Sequence, residues 1–288
     1  MSDLKVRPPI QDSGHQEDTS RREGRLWFAS LLLPAASIPI RQMNYCSRWN
    51  RFARRRAIAC MAPHAGYRFS GHVAGAVYTR LELPRHFLLI GPRHYPRGQA
   101  QAILSEGAWQ TPLGRAEIDA PLAVELKRAC GGLVEDNVAH RSEHALEVQL
   151  PFLQKLAGEF RFVPIALGTV DFAALESLGK AIAQVVARQK EPVLIVASSD
   201  MNHYESDEIT RRKDGMALER LLALDARGLH ETVRRESISM CGYGPAVSML
   251  IAARLLGGTR AELVRYATSG DISGDRDEVV GYAGVIVE

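Results

Sequence analysis

The chain has 288 residues, 46% of them apolar and 24% charged, with a formal charge of +3. These values suit an ordinary globular domain and exclude a fibrous or low-complexity chain. No run approaches the roughly 18 apolar residues that a membrane span requires, because the longest, around Leu26–Ile40, is broken by Ser30, Pro34 and Ser37.

Residues 1–57 hold eleven Lys/Arg against five Asp/Glu, a net of +6, leaving 25 against 28, or −3, for the rest. The basic character therefore belongs to the beginning of the chain and does not mark the main domain as a nucleic-acid binder. Asp3, Asp12, Glu17 and Asp18 stand where a secretory leader carries basic residues, so a cytoplasmic protein is expected. Arg21–Arg56 contains nine arginines and one acid, with Trp27, Phe28, Trp49 and Phe52 scattered without period. Residues 1–55 are accordingly read as a basic N-terminal segment, separate from a domain over 56–288, with no organised place in its central sheet.

From Arg56 onward, strands and helices alternate. Ala57–Ala62 reads as a strand and Gly71–Leu81 as a helix; Phe87–Gly91 is a strand and Pro121–Cys130 a helix. Glu143–Leu156 follows as a helix, then the strand Phe160–Leu167, the helix Phe172–Arg188 and the strand Pro192–Ser199. Helices Arg211–Leu224 and Gly244–Leu256 precede the strands Ala261–Ala267 and Val279–Val287. Several strands are continuous apolar runs, the mark of burial on both faces. Strands separated by helices predict a three-layer α/β/α fold with a mostly parallel central sheet.

Polar clusters follow three of these strands. Ala57–Ala62 runs into Pro63-His64-Ala65-Gly66-Tyr67, Phe87–Ile90 into Gly91-Pro92-Arg93-His94-Tyr95, and Val193–Ser199 into Asp200-Met201-Asn202-His203-Tyr204. Ligands of open α/β sheets bind beyond the carboxyl ends of strands, which makes His64, His94, Asp200 and His203 candidates for one shared site. Asp200 caps the following helix or, three residues from His203, orients that imidazole. Glu143-His144-Ala145-Leu146-Glu147 is placed at a helix start, where Glu143 complements the helix dipole and His144 is a further candidate. Cys46, Cys60, Cys130 and Cys241 form no CxxC pair, against a zinc knuckle or a disulfide scaffold. Cys241 lies just before a helix, a position expected to lower a thiol's pKa and favour the metal-binding thiolate. His15, His72, His86, His140 and His230 are left as surface or hydrogen-bonded histidines.

With these segments, Thr111-Pro112-Leu113-Gly114, Gln149-Leu150-Pro151-Phe152 and Tyr266…Ser269-Gly270-Asp271 complete an ordered set over residues 56–288 that resembles the Memo family, protein B of the AmmeMemoRadiSam system. The resemblance implies a fold like that of class III extradiol dioxygenases, with metal ligands on His64, His94 and Cys241, and with Asp200, His203 and His144 lining the same cavity. Family members open with Arg-Pro…Ala-Gly-x-Phe-Tyr-Pro; here Arg7-Pro8-Pro9 is followed by an Ile10–Arg55 stretch of a different kind. Two histidines and a softer thiolate in place of a carboxylate favour iron, copper or zinc over magnesium or calcium. His203 is then the expected general base.

Three functions follow. The first is a metal-dependent, dioxygenase-like redox protein holding iron or copper. The second is a non-catalytic module for a peptide or protein, acting with the radical-SAM and AMMECR1-like partners that the resemblance implies. The third is a zinc hydrolase, in which a metal-bound water attacks an ester or amide; in each case the pocket's ligand is a small molecule or peptide.

Overall fold

A computed structural model of the chain describes residues 26–28 and 53–288. Its centre is five parallel strands in the order β6 (Gly114–Ile118), β8 (Arg161–Leu167), β3 (His86–Pro92), β9 (Val193–Ser198) and β2 (Ala59–Ala62). β2 and β9 are buried along their whole lengths, which is why they read as unbroken apolar runs.

The margins are antiparallel. β12 (Val279–Val287) lies against β2 and pairs with β11 (Ala261–Thr268) along most of its length and with β10 (His203–Glu205) at its start. On the other side β5 (Ala108–Thr111) is antiparallel to β6, and β4 (Gln101–Ile103) is antiparallel to β8 and parallel to β7 (Val134–Glu135). The residues of β1, Leu26–Phe28, run parallel to β5 at the sheet's edge. That corrects the expectation that the basic segment takes no place in the sheet, at least for these three residues; most of that segment lies outside the described residues.

Side-chain alternation along the strands builds two cores. Phe87 and Leu89 point to one face, with Cys60, Phe162 and Val196, under α1 (Tyr67–Thr79) and α3 (Leu150–Leu156). Leu88 and Ile90 point to the other, with Met61, Ile165 and Ile195. There they meet α2 (Ala120–Ala129), α4 (Phe172–Val186), α5 (Asp207–Leu222), α6 (Ala226–Arg235) and α7 (Tyr243–Leu255). The result is the expected three-layer α/β/α fold. Each fully buried Leu, Ile or Phe contributes about 1.5–3 kcal/mol by leaving water. Asp119, Asp171, Ser206 and Asp225 cap α2, α4, α5 and α6 with their side chains, satisfying N–H groups that a helix start leaves free.

One predicted helix is shorter than expected. Glu143–Leu156 is a loop through Leu146, a single 3₁₀ turn at Glu147–Gln149, and α-helix only from Leu150. Pro151 lacks an N–H and suits only a first helical turn, so the helix begins around it. Glu143 is therefore not a helix-dipole residue, and its carboxylate is free for another task. The short α8 (Gly270–Ser273) follows β11. Among the described residues no helix is long and apolar enough to cross a membrane.

Candidate metal centre

Three neighbouring parallel strands deliver the site. His64 follows β2, His94 follows β3 and Asp200 follows β9, all at carboxyl ends. Two close approaches bring the other contributors in. Gly91 leaves room at the end of β3, where a Cβ would come within 2.7 Å of Leu146, and so admits the loop that carries Glu143 and His144. Gly242 packs so tightly that its Cβ would collide with the Ser198 carbonyl and the Ser199 side chain, which seats Cys241 and the start of α7 over the end of β9.

Ligand atoms of His64, His94 and Cys241 lie within 4.8 Å of one another. The same limit holds for His94, Glu143 and His144, and for Asp200, His203 and Cys241. The rings of His64 and His94 are 5.2 Å apart and edge-on, while His94 and His144 stack at 4.7 Å. All six expected residues are thus brought to one place, with Glu143 as a seventh.

The hydrogen bonds decide which nitrogens are free. Tyr78 donates to Gln149 Oε1 (2.8 Å), which turns Gln149 Nε2 toward the Pro63 carbonyl (3.1 Å) and Ser198 Oγ (2.8 Å). Ser198 gives its own hydroxyl proton to the Ala145 carbonyl (2.6 Å), so toward His64 Nδ1 (2.9 Å) it can only accept. His64 therefore carries its proton on Nδ1 and presents a lone pair at Nε2, 3.3 Å from Cys241 Sγ. Burial, with the adjacent His94 and His144, holds the His64 pKa well below the usual imidazole range, so it is neutral. His94 Nδ1 meets Glu143 Oε1 at 2.8 Å and its backbone N–H meets Oε2 at 2.6 Å, again leaving Nε2 free. Burial disfavours the Glu143 carboxylate, but bonds from His94 and Ala145 outweigh it and set its pKa to about 2.

Two expectations need correction. Burial, reinforced by the negative charge of Asp200, pushes the Cys241 thiol up, and the Gly242 N–H at the helix start offsets this only in part. Position before a helix does not make Cys241 a thiolate by itself. Asp200 neither caps a helix nor bonds to His203: its Oδ1 accepts from the backbone N–H groups of His64 (2.8 Å) and Ala65 (3.2 Å), tying β9 to the loop after β2. Burial raises the Asp200 pKa against the opposing pull of those N–H bonds. His203 Nδ1 is instead bonded to the Ser239 carbonyl at 2.9 Å, an acceptor only, which leaves Nε2 as the basic nitrogen. His144 stacks on His94, and its buried Nδ1 makes no hydrogen bond but lies 3.7 Å from Glu143 Oε1.

The sequence points to Glu143 only as a helix-dipole residue, whereas it orients His94, and it does not reveal that Ser198, Gln149 and Ser239 set the other imidazoles. Gln149 carried the one usable signal, a polar residue between apolar neighbours. The other histidines lie elsewhere: His86 bonds Asp119 and His230 the Val170 carbonyl. Cys60 and Cys130 are buried free thiols, while Cys46 and His15 fall outside the described residues. A cleft of about 780 Å³ at the amino ends of β3 and β9 is lined by Arg128, Arg188 and Lys190. Those cations sit by the carboxyl ends of α2 and α4, where they complement the helix dipoles, and the cleft, which His86 also lines, is at the opposite end of the strands from His64 and His94.

Gly242→Ala tests the close packing that seats Cys241. The added methyl meets backbone rather than a flexible tip, so α7 must shift, at a cost of about 1–3 kcal/mol. A lower urea midpoint at an unchanged slope is expected, and an unchanged midpoint would show that the helix start relaxes freely.

The chain is 44% identical over 230 residues to a MEMO1 family protein of Methanopyrus kandleri, covering 78% of this chain and 81% of that one. Another from Methanosarcina barkeri is 41% identical over 250 residues, covering 86% and 93%. The crystal structure of an uncharacterized Escherichia coli K12 protein matches the fold with a TM-score of 0.55 at 12% identity, over 81% of this chain and all of that one. The family model described as Memo-like protein matches residues 39–286, starting ahead of Arg56 and so reaching into the basic segment, and with that extent and those relatives the chain belongs to the Memo family.

Proposed function

We propose that His64, His94 and Cys241 hold one transition-metal ion, iron or copper, in a redox site of the dioxygenase-like kind. The observation that carries this reading is the convergence of three ligand atoms within 4.8 Å at the carboxyl ends of adjacent strands. Their chemistry fits an ion. The 3.3 Å between Cys241 Sγ and His64 Nε2 matches the roughly 3.1–3.6 Å spanned by S and N ligands at 2.0–2.3 Å from a common ion. The thiol proton, which has His64 Nε2 (3.3 Å) and the Asp200 carbonyl (3.7 Å) as acceptors, is the proton that metal binding displaces.

A bound iron or copper would supply redox chemistry and a Lewis-acidic position for a substrate oxygen. The chain's own residues do the rest. Ser198 and Glu143 fix the two imidazole tautomers, and Asp200 holds the His64 backbone. His203, with Nε2 basic and Nδ1 committed to Ser239, takes a proton from the substrate. His144 lines the pocket beside His94.

Metal analysis of protein purified without air and without a histidine tag tests this, together with oxygen uptake. About one iron or copper per chain is expected. Stoichiometric zinc with no oxygen uptake would move the reading to a hydrolase, and a metal-free protein that cannot be reconstituted would leave a module for protein partners.

A further inference from the structure

Tyr204 has a φ of 61°, in the left-handed region that a bulky side chain enters only at a cost. Two other non-glycine residues share that region among those described, Leu224 and Ser237. Both stand just past helix ends, beyond Ala223 and Glu236, where a left-handed residue is an ordinary way to stop a helix. Tyr204 has no such explanation. It lies inside β10, at a bulge where His203 pairs with Val280 and Glu205 with Val279.

The flanking residues hold it there. His203 donates its N–H to Ser239 Oγ (2.7 Å), and Glu205 accepts from Asn202 Nδ2 (2.7 Å) and pairs with Lys213 (2.7 Å). The effect of the bulge is to aim the Tyr204 ring outward. It is 72% exposed, yet its centroid is 5.6 Å from that of His203. An exposed ring adds little burial, so the fold gains nothing that offsets the strain. Bulges beside active sites commonly re-aim a side chain in this way.

We propose that Tyr204 is a substrate-contacting residue: its ring forms a wall at the mouth of the site, against which an aromatic or flat apolar face of the ligand packs while a polar end reaches His203 and the metal donors. This rests on the metal reading above. The ligand class follows from the wall itself, since an exposed ring beside an imidazole offers stacking and little else.

Two chelators with the same metal-binding group separate the contributions, acetohydroxamate reporting the metal alone and benzohydroxamate the metal plus a ring. Zinc-loaded parent protein should bind benzohydroxamate roughly tenfold more tightly by calorimetry, the scale of one buried ring contact. Tyr204→Asn removes the ring while keeping a residue that tolerates the left-handed region; it should reduce the preference to within about twofold, with zinc stoichiometry and acetohydroxamate affinity unchanged. Tyr204→Phe should keep the full preference. The melting temperature of Tyr204→Asn should equal or exceed the parent's, because strain is relieved, whereas a structural role for the ring would lower it. An undiminished benzohydroxamate preference in Tyr204→Asn, or a lower melting temperature together with lost zinc, overturns the proposal while leaving the metal site standing. A parent that takes up no zinc, or binds neither hydroxamate when loaded, removes the metal reading and this proposal together.

Discussion

Cys241→Ser protein, reconstituted beside the parent, should retain almost no soft metal after dialysis, while the parent retains about one ion per chain. Serine nearly matches cysteine in size, but its hydroxyl stays protonated near neutral pH, so the ion loses its single anionic ligand. The loss should be one of binding and not of folding, because Cys241 is half-buried at the rim of the sheet and belongs to none of the hydrophobic clusters. His64→Ala should abolish binding similarly by removing the Nε2 lone pair that faces Sγ. Asp200→Asn should be milder. An amide oxygen can still accept the His64 and Ala65 N–H groups that Asp200 Oδ1 now receives, so a loss of about tenfold, at the low end for residues that orient ligands, is expected. Metal stoichiometry per chain across the three variants, with urea midpoints measured alongside, decides the matter. Equal occupancy in Cys241→Ser and the parent would place the metal elsewhere.

The fold was readable because its central strands are buried on both faces. Runs such as Phe87–Ile90 and Val193–Ala197 have no polar alternation to confuse them. The pieces that were missed are short or polar. β4, β5, β6 and β7 are only two to five residues long, and the helix Ala226–Arg235 contains too many charged residues to stand out. Within the site, His64, His94 and Asp200 were legible from the strands they follow, and Cys241 from the helix after it. Their partners were not. The bond between Ser198 and His64 spans 134 residues, and that between Glu143 and His94 spans 49, distances at which spacing carries no information. Asp200 misled for a related reason: Asp200 and His203 do come within 4.8 Å of each other, but what each one bonds is set by partners far away in sequence, His64 and Ala65 for Asp200 and Ser239 for His203.

Glu143 is the residue whose substitution should separate tautomer from packing. Its two oxygens accept three N–H bonds, from His94 N, His94 Nδ1 and Ala145 N, with the side chain only 2% exposed. Glu143→Ala strands all three donors in a buried loop. At about 1–3 kcal/mol for each unsatisfied group, eased by water entering the gap, a net loss of about 2–4 kcal/mol in urea unfolding is expected. Glu143→Gln keeps the volume and one acceptor oxygen but offers an NH₂ where a second acceptor stood. The amide cannot satisfy all three groups. With its oxygen where Oε1 stands it still accepts from His94 Nδ1 and Ala145 N but turns its NH₂ on the His94 backbone N–H, displacing the His94 loop. With its oxygen on that backbone N–H it strands Ala145 N and donates to Nδ1, which moves the imidazole proton to Nε2. That nitrogen is the one facing the His64–Cys241 pair, and either outcome disturbs it, so metal affinity should fall about 10–100-fold, while stability at neutral pH falls far less than in the alanine variant. Acid supplies an independent check. A carboxylate with a folded pKa of about 2 adds stability above its unfolded value near 4.5 and loses it as pH falls toward 2. The stability gap between the parent and Glu143→Gln should therefore be widest above pH 5 and close on acidification. If Glu143→Gln binds metal as tightly as the parent, or the gap persists unchanged at pH 3, Glu143 does not set the His94 tautomer and serves only to brace the loop against β3.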